Sequence, residues 1–199
     1  MDAAAELFAE HGMSVPLEEV ARRAGVGVAT LYRRFPARAD LAAATFERNI
    51  SRFTAVVDTA LAADDPWQGF RQLVFDLCEL QAGDAGLREM LTTAFPASSV
   101  VEQRTGEAVE KLRTLMARAQ AEGTLRADLL VADVVVMLLA NAGVVGATGE
   151  SAPDAWRRFA ALMVDAFRAG PAEPAGVSEV LPDAPAEQQL RRSIAMLGK

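Results

Sequence analysis

Five arginines, Arg22, Arg23, Arg33, Arg34 and Arg38, fall within a stretch of this 199-residue chain that holds no acid at all. A guanidinium presents a planar fork of donors that matches phosphate oxygens and the edge of guanine. Such a run is either a solvated helix face or a surface that neutralises a polyanion. The totals point away from nucleic acid: 20 Lys and Arg stand against 27 Asp and Glu, a formal charge of −7. Phosphate binding releases counterions and requires basic groups, but it requires them only locally. An acidic body can carry one basic face, so distribution outweighs the sum here.

Other chemistries find little support. One cysteine, Cys78, makes no internal disulfide, and one histidine, His11, builds neither a metal site nor a serine–histidine–acid set. Gly25-Val26-Gly27 follows a helical pattern, whereas a dinucleotide loop follows a strand. Asp64-Asp65 beside Pro66 reads as turn and cap chemistry, and the Asn49-Ile50-Ser51 sequon falls inside a helical pattern. No cofactor and no metal are expected. No signal segment opens the chain, and the longest apolar run, Val134 to Ala140, is well short of the ~20 residues of a bilayer span. The expectation is a cytoplasmic protein with no membrane partner.

The arginines must be positioned by the elements around them. Leu7 and Phe8 sit on an alanine-rich helical segment that Gly12 ends. Pro16 opens a second helix, Leu17 to Ala24, with Glu18 and Glu19 in its first turn. Gly25 breaks it, and a third helix runs from Val28 to Phe35, stopped by Pro36. Two short helices joined this way form a helix-turn-helix, provided a small residue sits at the crossing and the turn residue tolerates positive φ. Ala21 and Gly25 meet those needs, and Val20, Ala24, Val26 and Leu31 are expected to lock the pair. The second helix of such a unit enters the major groove.

These residues resemble a known family. The stretch AAELFAEHG (Ala4 to Gly12) and then VPLEEVARRAGVGVATLYRRFPARADL (Val15 to Leu41), with its block AGVxxxTLYxxFPxxxxL, is similar to the DNA-binding domain of TetR-family regulators. The resemblance implies an all-α fold in which a three-helix DNA-binding domain precedes a larger helical domain for ligand sensing and dimerisation. It also implies a homodimer on a double-stranded DNA operator, released by a small-molecule effector. Thr30 and Tyr32 match positions that touch phosphates or base edges; Arg34 stands where many members have histidine and Arg38 where they have lysine. Gly27, Val28 and Ala29 depart from the commoner serine, polar, glycine run. Base reading is therefore expected from Arg33 or Arg34, helped by Thr30 and Val28, while Tyr32 and Arg38 set register through phosphates. Arg22 and Arg23 are expected to be salt-bridged or flanking. Family members usually begin with a longer first helix preceded by basic residues, whereas Met1 sits almost on the helix here; either residues precede it or an arm is lacking. The segment QAGDAGLREML, Gln81 to Leu91, is similar to a stretch in one branch of the family.

Beyond residue 40 the pattern is helical. Phe46, Ile50, Phe53, Val57 and Ala60 share one face of a long fourth helix. Further helices are expected at Trp67–Gln81, Leu87–Phe95, Val100–Glu122, Leu129–Val145 and Pro153–Ala169. The Val131–Leu139 run is β-branched enough for a strand, but no partner strands exist for it. The domain division is 1–40 for DNA binding, 41–170 for sensing and dimerisation, and 171–199 for a proline-rich tail with Leu190, Ile194 and Leu197 on one face. Trp67, Phe70, Phe75, Cys78, Met90, Phe95 and Met116 are candidates to line an effector pocket, or plain core. Asn141, inside an apolar helix, must hydrogen-bond across a helix interface or face a ligand. Trp156, Phe159, Met163 and Phe167 form a stripe suited to a dimer interface or an internal core. Two other readings stand beside the regulator: a helical partner-binding module without sensing, and an all-helical enzyme.

Overall fold

The computed structural model describes residues 2–11, 14–92, 99–170, 182–186 and 189. Among them the regular elements are all helices: α1 Asp2–His11, α2 Leu17–Arg23, α3 Val28–Arg34, α4 Arg38–Leu61, α5 Pro66–Gly83, α6 Ala85–Thr92, α7 Ser99–Ala121, α8 Val131–Thr148 and α9 Ala155–Phe167. The β-branched Val131–Leu139 run is helical, within α8. The stripe expected at Leu190, Ile194 and Leu197 lies outside the described residues.

Buried apolar residues fall into two clusters. The first joins Ala4, Leu7 and Phe8 of α1 to Leu17, Val20 and Ala21 of α2, Leu31 of α3 and Leu41 of α4. The second is built from α5, α7, α8, α9 and the far half of α4, where Val57 and Ala60 are buried. α4 thus belongs to both. Of its expected face Ile50, Val57 and Ala60 are buried and Phe53 half-buried, while the Phe46 side chain is outside the described set.

Polar groups close the helix ends. Asp40 accepts from the Ala37 N–H at 2.9 Å, and Asp65 accepts from the Gln68 N–H at 3.0 Å, so α4 and α5 each begin with a carboxylate on an otherwise orphan amide. At the other end of α4, Arg118 of α7 donates to the carbonyls of Leu61 and Ala63 at 2.8 and 3.1 Å. That satisfies terminal acceptors and sets a cation at the negative end of the helix dipole. The segment after α7 pairs with the end of α9: Arg126 N–H donates to Phe167 O and Ala169 N–H to Thr124 O, both at 3.0 Å.

The two clusters meet at α6. Asp84, only 5% exposed, accepts from the Leu87 N–H at 2.8 Å and from Arg52 Nη1 at 2.9 Å. Arg88 reaches back to the Gln81 carbonyl at 2.8 Å. One aspartate thereby starts α6 and ties it to α4. α6 then lies against α1 at Gly86, where an added Cβ would fall 2.9 Å from the Phe8 carbonyl oxygen and 3.1 Å from Phe8 Cβ. Only glycine permits this approach. Gly86→Ala is expected to lower stability by about 1–3 kcal/mol through overpacking, read as a lower urea midpoint; an unchanged midpoint would mean that α1 and α6 part without cost.

Candidate nucleic-acid interface and sensor core

The turn between α2 and α3 is made by backbone. Gly25 has φ +67°, its N–H donates to Arg22 O at 3.2 Å, and the Val26 N–H donates to Ala21 O at 3.0 Å. This is the paired-bond helix ending that a left-handed glycine allows. It corrects one expectation. Val20, Ala21 and Leu31 are buried as the crossing requires, but Ala24 is exposed and Val26 is 42% exposed. With the turn closed by two backbone bonds, neither side chain is needed to lock it.

α3 starts after Gly27, whose carbonyl accepts from Thr30 and Leu31 N–H groups at 2.9 and 3.1 Å. Leu31 alone on this helix is buried; Val28, Ala29, Thr30, Tyr32, Arg33 and Arg34 all face outward, with Val28 and Tyr32 at 37% and 42% exposure. A seven-residue helix pinned by one leucine and otherwise presented to solvent is a surface element, not a core one.

The five arginines separate by partner. Arg22 pairs with Glu19, and this hydrogen bond holds the Glu19 carboxyl below its ordinary range. Arg23 lies 3.5 Å from both Glu6 and Glu10 of α1, fastening α2 to α1. Arg38 donates to the Val15 carbonyl at 2.7 Å, so part of its donor fork is committed inside the chain. Arg33 and Arg34 meet no acid among the described residues, and Arg34 stands 5.7 Å from the centre of the Phe35 ring. The expected split between bridging and outward arginines is what the geometry contains.

The N-terminal 1–45 match the family described as bacterial regulatory proteins, tetR family. A TetR transcription regulatory protein from Mycobacterium vanbaalenii is 31% identical in sequence, with 84% of this chain and 91% of that one superposed at a TM-score of 0.54. The chain belongs to the TetR family. A TetR transcriptional regulator from Streptomyces coelicolor is 28% identical and superposes over 85% of this chain and 97% of its own length, with a TM-score of 0.56. The HTH-type transcriptional repressor KstR of Mycobacterium tuberculosis is 34% identical over 112 residues, 55% of this chain and 51% of KstR. The chain spans about half the length of the curated relatives it matches. These relatives are described as regulators or repressors of transcription.

The sensor candidates of this TetR-family chain divide into three groups. Phe70, Cys78, Met116 and Asn141 are buried in the second cluster or beside it. Burial pushes the Cys78 thiol up to about 12, so it stays protonated, with its sulfur 3.9 Å from that of Met137. Trp67 and Phe75 instead border an open groove of about 330 Å³ between α5 and α9. Phe95 and the Met90 side chain lie outside the described residues.

Asn141 has the partner its burial demands, and something more. Its Nδ2 donates to Gln81 Oε1 at 2.8 Å, and Gln81 Nε2 donates to the Leu138 carbonyl at 3.2 Å. The sequence of donors fixes both amides. A carbonyl only accepts, so Gln81 must offer it nitrogen, and Asn141 must offer nitrogen in turn. Asn141 Oδ1 is left fully buried with no donor. An acceptor in that state costs about 1–3 kcal/mol. Gln81, fully buried, was not among the expected partners of Asn141; its place one helical turn before Asp84 was the available signal.

In the proposed interface stripe, Trp156 and Phe167 are taken up by the chain's own core, at 3% and 9% exposure, which leaves them no surface for a second chain. Phe159 and Met163 are half-buried against that core. The exposed apolar positions nearby are Leu162 of α9 and Val136 of α8, at 54% and 42%.

Proposed function

We propose that this chain is a homodimeric repressor in the cytoplasm that holds a near-palindromic duplex operator and lets go when a small molecule enters its second helical cluster. The division is 1–40 for DNA and 41–170 for sensing and dimerisation. The observation that carries the reading is α3, whose Val28, Thr30, Tyr32, Arg33 and Arg34 all project outward from a helix anchored by Leu31. Gly27 and Ala29 leave room for close approach to the duplex, and Arg38 adds a phosphate contact beside its bond to Val15. Repression is supported by the name that the KstR relative carries.

Dimerisation is supported by α8. This helix is long and apolar enough to cross a bilayer by length and composition alone. Yet it buries only Val134, Met137, Asn141, Ala142 and Val145. Val136, Ala140, Gly143 and Ala147 lie exposed at i, i+4, i+7 and i+11, one stripe along its length, with Leu162 of α9 nearby in chain order on the neighbouring helix. A helix of this composition is covered in a stable soluble protein, and a twofold mate would cover it. Two copies of α3 would then meet successive major grooves about 34–36 Å apart.

Effector sensing is supported by the unmatched Asn141 Oδ1, an atom that asks for a donor the chain does not supply. The matching ligand is an apolar molecule with a hydroxyl or amine hydrogen. The Gln81 partner of Asn141 precedes the Asp84 joint, and so links this atom to α6 and α1.

The direct test is a gel shift on the DNA upstream of the coding sequence at two salt concentrations. Arg34→Ala is expected to flatten sequence preference, because a bidentate guanine contact is worth roughly 1–3 kcal/mol; an unchanged preference takes base reading away from Arg34. With a panel of apolar alcohols and amines added, wild type is expected to release the operator and Asn141→Leu to keep it, and release by the mutant removes Asn141 from the sensor. In sedimentation, the pair Val136→Glu and Leu162→Glu is expected to run as a monomer where the wild type runs as a dimer. A dimeric mutant would place the interface elsewhere.

A further inference from the structure

The groove between α5 and α9 is lined by Trp67, Gln68, Arg71 and Phe75 on one side and Ala161, Val164, Asp165 and Arg168 on the other. Its volume, about 330 Å³, is that of a small-molecule site. Three charges share it, and none of them makes an ion pair among the described residues. Arg52, Arg113, Arg126 and Arg157, by contrast, each meet an acid. The reason is visible. Arg71 lies 5.2 Å from the centre of the Phe75 ring and Arg168 lies 5.5 Å from that of Trp67. Each guanidinium is laid on an aromatic wall, and Asp165 is left with neither.

We infer that this groove binds a flat organic anion, an aryl carboxylate that also carries one hydrogen-bond donor. An aromatic body lies along the α5 wall that Trp67 and Phe75 border, a carboxylate takes the donor forks of Arg71 and Arg168, and the donor meets Asp165. An arginine over an aromatic face keeps its N–H edge free, so the two interactions do not compete. The site is separate from the buried Asn141 acceptor and from the DNA-reading helix. It also stays open in the proposed dimer: Ala161, Asp165 and Arg168 occupy one flank of α9, and Phe159, Leu162 and Ala166 the other.

Trp67 and Trp156 are the two indoles of the chain, so Trp156→Phe leaves Trp67 as the single reporter inside the groove. The probes are 4-hydroxybenzoate and its neutral counterpart 4-hydroxybenzamide, followed by Trp67 emission and, in the wild-type protein, by titration calorimetry. Saturable binding of the carboxylate, at least tenfold weaker for the amide and at least tenfold weaker in Arg71→Gln or Arg168→Gln, is the expected result. Asp165→Asn is expected to erase the advantage of 4-hydroxybenzoate over benzoate. No saturable binding, equal affinity for the two probes, or loss of binding in Arg33→Gln with Arg71→Gln unaffected would overturn the assignment, the last by moving the anion to α3.

Discussion

The contact on which the molecule depends is the seat of α6 on α1. Gly86 lets two backbones come so close that a single methyl would collide with the Phe8 carbonyl. Phe8 is itself buried in the first cluster, together with Val20 and Ala21 of α2 and Leu31 of α3. Asp84 holds the other side of the joint, capping α6 while drawing Arg52 of α4 to it. The cluster that seats α3 is therefore joined to a contact well away from it in sequence. Well-packed contacts of this sort have few intermediate positions, so they transmit displacement instead of absorbing it.

The second cluster is organised around a compromise between packing and polarity. An amide pair, Gln81 and Asn141, bridges α5 and α8 through an otherwise apolar layer that includes Cys78 and Met137. Apolar residues there would pack with no unmet acceptor. The amides make the layer selective about what can settle beside them, since a buried acceptor favours a molecule that brings a hydrogen. The unmet Asn141 acceptor is a cost in stability that a purely apolar layer would not carry.

Much of this was legible beforehand, and the exceptions have physical causes. The helix-turn-helix could be read because its constraints are local: Gly25 in the turn, Ala21 at the crossing, Pro16 and Pro36 at the ends. Arg22 and Arg23 were readable as bridging residues, since Glu19 is one turn away from Arg22. Val26 was misplaced because an apolar residue after a turn glycine looks like packing, while the turn is in fact closed by main-chain bonds. The stripe from Trp156 to Phe167 could not be divided between inside and outside from spacing alone, because α9 has apolar residues on more than one flank. Trp67, Arg71 and Phe75, at i, i+4 and i+8, were visible as a row; the arrival of Arg168 from nearly a hundred residues later was not.

Arg118 has one last consequence. By gripping the carbonyls of Leu61 and Ala63 it holds α4 at its remote end, while Leu41 at the near end is buried in the first cluster. The 24 residues of α4 measure ~36 Å at 1.5 Å per residue, a rod gripped at this end and tied again at Arg52. A swing of about 5° at the remote end would carry the near end by ~3 Å, close to the rise of one base pair. A disturbance that left every packing layer intact would thus be geared up into a step of the size the double helix itself is ruled in.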